Sequence, residues 1–177
     1  MGVTLLRHTQ PDIAPGVCYG QTDLGLAEGF LADADALSAR LPGPGRPEFE
    51  RIVTSPLLRC RTLAEVLSKS KGLTVEVDAR IKEMDFGAWE CQPWSEIPRP
   101  ELDAWAADFL HARPHGGESV AMLKHRVDRA LADIRQAGQS TLVVTHSGII
   151  RVVLARGDRA EDFDAAVGFG EWVDLDG

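Results

Sequence analysis

Two apolar runs of this chain end on cationic or titratable side chains. Leu5-Leu6 runs into Arg7-His8, and Leu142-Val143-Val144-Thr145 runs into His146-Ser147. Between them, Arg51-Ile52-Val53-Thr54 leads into Ser55-Pro56, with Arg59 four residues after Ser55. An arginine fork suits bidentate recognition of phosphate or carboxylate oxygens. A neutral imidazole can act as a nucleophile toward phosphorus, while neighbouring cations hold the charge spread over the equatorial oxygens of the transferring group. The leaving alkoxide then needs a proton, which a carboxylic acid with a raised pKa can supply before taking one back from water. Glu83, Asp85 and Glu90 are the acidic candidates, and spacing alone does not choose among them. Each residue taken singly has an ordinary alternative: a hydrogen-bonded strand-end histidine, a surface ion pair for Arg59, a solvated loop carboxylate for Glu83.

The elements that must position these groups read as an α/β chain. Residues 3–7, 51–54, 75–77 and 141–145 are expected as strands, mostly of the unalternating apolar kind that is covered on both faces. A further strand is expected around Glu171 to Leu175. Helical spacing marks Leu26 to Leu41, with Pro42-Gly43-Pro44-Gly45 as its stop, and Glu118 to Gln136, closed by Gly138. Ser55-Pro56 predicts a helix start with Ser55 as N-cap, and Ile149 to Leu154 reads as a buried helix. Another helix is expected to begin near Glu101. In such a sheet the binding crevice lies beyond the carboxyl ends of the strands, so Arg7-His8, Thr54-Ser55 and His146-Ser147 should meet at one edge. Arg59, one turn into its helix, leans back toward that edge. Helix N-termini there favour an anion. The polar loop from Thr9 to Asp23 is long enough to line a site.

The whole chain sets bounds on partners and class. With 177 residues, 44% of them hydrophobic, residues 1–177 are expected to form one domain around a two-sided core. The net charge of -8 and a pI near 5.1 argue against nucleic acid or an anionic membrane as the main partner, so any positive field must be local. A small phosphorylated molecule is the expected partner. Cys18, Cys60 and Cys91 have no C-x-x-C spacing, which points to a reducing cytoplasm rather than a disulfide framework or a zinc site. No signal peptide or membrane-spanning run is read in the sequence, and oligomeric state leaves no signal. Cys60 is expected in the core. His111, His115 and His125 lack metal-ligand pairing and are expected in solvent. The tryptophans of the irregular segment 81–105 are expected as packing, with Trp89 or Trp94 able to wall the leaving-group side of the site.

Four ordered motifs carry a resemblance. Leu6-Arg7-His8-Thr9 resembles the R-H-G signature of the histidine phosphatase superfamily, which includes the cofactor-dependent phosphoglycerate mutases. Thr54-Ser55-Pro56-Leu57-Leu58-Arg59-Cys60-Arg61-Thr62-Leu63-Ala64 is similar to its S-P-L-x-R-A-x-x-T-A motif. Glu83-Met84-Asp85-Phe86-Gly87-Ala88-Trp89-Glu90 is similar to E-x-x-F-G-x-W-E, and Val144-Thr145-His146-Ser147-Gly148 to the second-histidine motif. The resemblance implies a three-layer α/β/α fold with a mainly parallel sheet. It implies a phosphohistidine on His8, a phosphoryl cradle of Arg7, Arg59 and His146, and Glu83 as general acid and base. No metal and no cofactor is implied. The run Arg7 to Asp12, the run Tyr19 to Asp23 and Gly116-Gly117-Glu118-Ser119 resemble the alpha-ribazole phosphatases of cobalamin nucleotide-loop assembly most closely. Thr9, Gln21, Glu118 and Ser147 are second-tier candidates for substrate contact, with turn formation and helix-end charge as the ordinary alternatives for Gln21 and Glu118. Thr9 replaces the usual glycine, Cys91 stands where W-E-G is common, and Ser147 where glycine is frequent. Other readings are a sugar or glycerate phosphatase, a phosphoglycerate mutase, or a phosphate-binding regulatory module without turnover.

Overall fold

The computed structural model describes residues 2–41 and 49–175. Strands β1 (Val3–Arg7), β2 (Arg51–Thr54), β3 (Thr74–Val77), β4 (Thr141–Thr145) and β5 (Trp172–Asp174) form one sheet in the order β3-β2-β4-β1-β5. The first four pair in parallel, and β5 runs antiparallel on the free edge of β1. Side chains alternate across each strand, which sorts the core into two halves. Leu5, Val53 and Val143 pack on one face with helices α4 (Val120–Gln136) and α5 (Ser147–Leu154). Leu6, Ile52, Leu142 and Val144 pack on the other with α1 (Phe30–Arg40) and α2 (Leu58–Lys71). The result is the three-layer α/β/α arrangement. The segment 78–98 is built from short 3-10 turns and leads into α3 (Arg99–Ala107).

Parallel register brings the expected edge together, since Arg7 lies opposite Thr145, and Thr54 opposite Val144. The His8 amide donates to the Thr145 carbonyl at 3.0 Å and the Ser55 amide to the Val144 carbonyl at 3.1 Å, extending the pairing one residue past each strand.

Several local expectations are corrected. Helix α2 begins at Leu58 rather than behind a Ser55 cap: Ser55 is still part of the extended pairing, and the Leu58 amide donates to Asp23 Oδ1 at 2.7 Å instead. Helix α1 begins at Phe30, after Gly29 turns the chain at φ 87°, while Leu26 forms a bridge to Pro11. Its expected stop at residues 42–45 lies outside the described residues. Helix α4 starts at Val120 with Ser119 Oγ accepting from the Met122 amide. Of the three unassigned histidines, His111 and His125 are exposed as expected, but His115 is buried. Its Nδ1 accepts from the Gly117 amide and its ring packs 4.8 Å from Trp89. The backbone comes this close because Gly87 and Gly117 have no side chains; a Cβ on either would overlap the facing main chain.

Candidate active site

His8 follows the last residue of β1 and is only 1% exposed. Its Nδ1 lies 2.6 Å from the Thr9 carbonyl oxygen. A carbonyl can only accept, so Nδ1 carries the proton and Nε2 keeps its lone pair. Burial pushes the imidazole pKa down to about 3, with the Arg59 and Arg7 charges adding to the effect and the Thr9 bond opposing it. The ring is therefore neutral near pH 7. Thr9, the departure from the R-H-G pattern, meets His8 through its main-chain carbonyl and also lines a separate hollow beside α1.

His146 caps the edge beside it, with ring centroids 5.2 Å apart in an edge-to-face arrangement. It is fully buried and its pKa is held well below the usual value, first by burial and then by His8, Arg59, Arg126 and Arg7. The Ser55 hydroxyl lies 2.8 Å from His146 Nε2 and also accepts from the Leu57 amide at 3.4 Å. Cys60, expected as plain core, packs its sulfur 3.4 Å from the same nitrogen.

The two arginines share one bonding pattern. Arg7 Nη1 donates to the Val167 carbonyl at 2.7 Å, and its guanidinium carbon sits 3.9 Å from the centre of the Phe169 ring. Arg59 donates from Nη1 to the Thr22 carbonyl at 2.9 Å and from Nη2 to the Gly20 carbonyl at 2.6 Å. In both, Nε is buried and has no hydrogen-bond partner. A buried N–H left unpaired costs about 1–3 kcal/mol, a cost that an oxyanion between the two forks would remove.

Glu83 enters from the 3-10 segment, 8% exposed, and accepts from the Met84 amide at 2.8 Å and the Gly148 amide at 3.0 Å. The second bond sets the carboxylate against the first turn of α5. A Cβ on Gly148 would overlap the carboxylate and displace it from this place. The other acidic candidates are engaged elsewhere. Asp85 Oδ1 accepts from the Gly87 amide at 2.8 Å within its own turn. Glu90 accepts from the Gln21 amide at 2.9 Å, the Thr22 amide at 2.7 Å, the Thr22 hydroxyl and the Phe86 amide at 3.1 Å. It thereby fixes the loop whose carbonyls hold Arg59.

Gln21 and Glu118 also brace this wall. Gln21 Nε2 donates to the Glu83 carbonyl at 3.0 Å and its Oε1 accepts from Lys82. Glu118 forms a two-point ion pair with Arg126, whose guanidinium in turn donates to the carbonyls of Arg80, Lys82 and Glu83. Ser147 lines a cavity of about 450 Å³ that opens beside Arg7 and Glu83; Glu118 does not. Among the described residues no group of three His, Cys, Asp or Glu is placed to hold a metal ion, and no helix is long and apolar enough to cross a membrane.

Residues 3–163 match the sequence model of the histidine phosphatase superfamily, branch 1. The chain belongs to this family. It is an enzyme of the phosphatase type by that membership and by the names of its relatives. It is 29% identical over 163 residues to the adenosylcobalamin/alpha-ribazole phosphatase of Escherichia coli K12, covering 88% of this chain and 78% of that protein. It is 30% identical over 162 residues to a metal-independent phosphoserine phosphatase of Arabidopsis thaliana, covering 87% and 67%. The crystal structure of the alpha-ribazole phosphatase from Shigella flexneri superposes with a TM-score of 0.83 at 26% identity, over 98% of this chain and 89% of that one. Mycobacterial glucosyl-3-phosphoglycerate phosphatase gives a TM-score of 0.82 at 26% identity, over 98% and 88%.

Three parts of the site were not singled out in the sequence. Gly148 seats Glu83, Arg126 ties down the segment that carries Glu83, and residues 167–170 hold Arg7. The Gly170 amide also faces the Arg7 and His8 carbonyls at 3.2 Å each. Gly148 had a signal in its place two residues after His146; Arg126 and segment 167–170 work largely through backbone carbonyls and amides, which leave no pattern of side-chain types.

Proposed function

We propose that this protein hydrolyses phosphomonoesters without a metal through a phosphohistidine on His8. The observation that carries the reading is the fixed neutral tautomer of His8 beside two guanidinium groups with unpaired buried N–H donors. In the first step Nε2 of His8 bonds to phosphorus as the phosphorus–alkoxide bond breaks. Arg7, Arg59 and His146 hold the equatorial oxygens, and Glu83 gives its proton to the departing alcohol. In the second step water attacks phosphorus and Glu83 takes the water's proton. The nitrogen–phosphorus bond then breaks, returning His8 to its neutral form and releasing inorganic phosphate.

Alpha-ribazole 5′-phosphate is the proposed physiological substrate, supported by the Arg7–Asp12, Tyr19–Asp23 and Gly116–Ser119 runs and by the names of the E. coli and Shigella relatives. The three cysteines are free thiols, in keeping with a reducing cytoplasm as the working compartment. Brief incubation with a labelled phosphomonoester followed by alkaline denaturation should trap acid-labile phosphate on His8. Full turnover in a His8→Ala protein would overturn the mechanism. A panel of alpha-ribazole 5′-phosphate, phosphoserine and 3-phosphoglycerate, with and without 2,3-bisphosphoglycerate, tests the substrate.

A further inference from the structure

The cavity beside Arg7 and Glu83 is walled by rings. Tyr19, Phe86, Trp94, Trp105, Phe109 and Phe163 all line it, which is six of the eleven aromatic residues in the chain. Five of them form an unbroken chain of ring contacts: Phe86 lies 5.5 Å from Trp94 and 6.2 Å from Trp105, Trp105 5.3 Å from Phe109, and Phe109 5.2 Å from Phe163. These rings come from the 3-10 segment, from α3 and its following turn, and from the 160–163 turn, so no one element's packing accounts for the wall. Trp94 is 36% exposed despite its size, and Trp89, its near neighbour, is buried beneath it with Nε1 donating to Glu101. Arg151, on the face of α5 that also presents Ser147 and Gly148, reaches the same wall and has no hydrogen-bond or ion-pair partner among the described residues.

His8 and Arg59 do not line this space, whereas Arg7 and Glu83 do. It therefore lies on the side where the proton donor meets the departing alcohol. At about 450 Å³ the cavity is of ligand size, within the roughly 300–1,000 Å³ typical of small-molecule sites. A glyceryl or seryl group would set its hydroxyl, carboxylate or ammonium against ring surface that offers few partners, at a desolvation cost. A flat ring would instead stack or pack edge-on against these side chains, with Arg151 available to its face or to a polar edge. We infer that this cavity is the alcohol-side subsite, and that Phe86, Trp94 and Trp105 select phosphomonoesters of ring-bearing alcohols over those of small polyols. The inference rests on the phosphohydrolase reading for its place in the reaction, but not on the identity of the ring.

The test compares 2-naphthylmethyl phosphate with glycerol 3-phosphate, both esters of primary alcohols, so that ring recognition is separated from leaving-group chemistry. The wild-type protein should prefer the naphthylmethyl ester in kcat/KM, and Trp94→Ala should lower that preference about tenfold, the equivalent of one good aromatic contact and its buried area. Trp94→Phe should restore most of it. A wild-type preference at or below one, or a preference unmoved by Trp94→Ala, would overturn the inference. Calorimetric binding of the two esters to the His8→Ala protein gives a second readout. If neither ester is hydrolysed by the wild type, the phosphohydrolase reading fails while the calorimetry still decides the subsite: tighter binding of the naphthylmethyl ester supports it, and equal or weaker binding sinks it.

Discussion

Replacing His8 with asparagine removes an imidazole that the fold keeps uncharged, and the stability of the protein should register this as a function of pH. The folded-state value near 3 lies below the ordinary 6.5, so the unfolded chain takes up a proton that the native protein refuses. The sign follows from the depressed pKa: His8 leaves stability intact above about 6.5 and withdraws it as pH falls toward 3, where the loss levels off. Between pH 7.5 and pH 5 the depressed pKa of His8, about 3 against 6.5, amounts to about 2 kcal/mol, undiscounted because the ring is almost completely buried. Urea unfolding of the wild type and of His8→Asn at both pH values measures it. Relative to the wild type, the variant should gain about 2 kcal/mol on going to pH 5. Parallel losses in the two proteins would show that His8 is exposed or charged in solution, and with that the argument for a ready nucleophile would fall.

Glu83→Gln should slow hydrolysis of alkyl phosphates by roughly 10²- to 10⁴-fold while sparing activated aryl phosphates, and equal losses on both would shift the acid role to another group. Gly148→Ala puts a methyl group into the Glu83 carboxylate, so kcat for alkyl esters should drop at least tenfold with little change in the binding of inorganic phosphate; steady-state rates with phosphate inhibition measure both. Glu90→Ala unties the Gln21, Thr22 and Phe86 amides and should cost about 2–4 kcal/mol in chemical unfolding, with weaker phosphate binding because the carbonyls that hold Arg59 lose their anchor.

The sheet and the meeting of its edges were readable because apolar runs of strand length end in polar residues, and parallel pairing leaves those ends no choice but to converge. Arg7, His8, Arg59 and His146 accordingly gather where their spacing placed them. Spacing leaves Glu83, Asp85 and Glu90 open and only the motif resemblance favours Glu83; the structure adds that the three carboxylates accept from different amides, Glu83 alone from Gly148 at the start of α5. Ser55 illustrates a second kind of miss: its position before Pro56 fits an N-cap, but its backbone stays in the sheet-edge pairing with Val144, so its hydroxyl meets the Leu57 amide and the His146 ring ahead of a helix that starts only at Leu58. His115 was misplaced because two glycine close approaches, invisible to periodicity, fold it under the tryptophans. Segment 167–170 was silent because it serves the site with a carbonyl, an amide and one ring.

The placement of β1 has a further consequence for the order of assembly. Val3 pairs with Thr141 and Thr4 with Asp174, so both neighbours of the strand that carries the nucleophile are made about 140 and 170 residues later. During synthesis β1 therefore has neither of its sheet neighbours until β4 and β5 have been made. Until β4 and β5 have emerged, the Arg7 fork has no Val167 carbonyl and His8 no Thr145 carbonyl to fix them. Such non-local pairing slows folding, and here it ties the ordering of Arg7 and His8 to segments far along the chain.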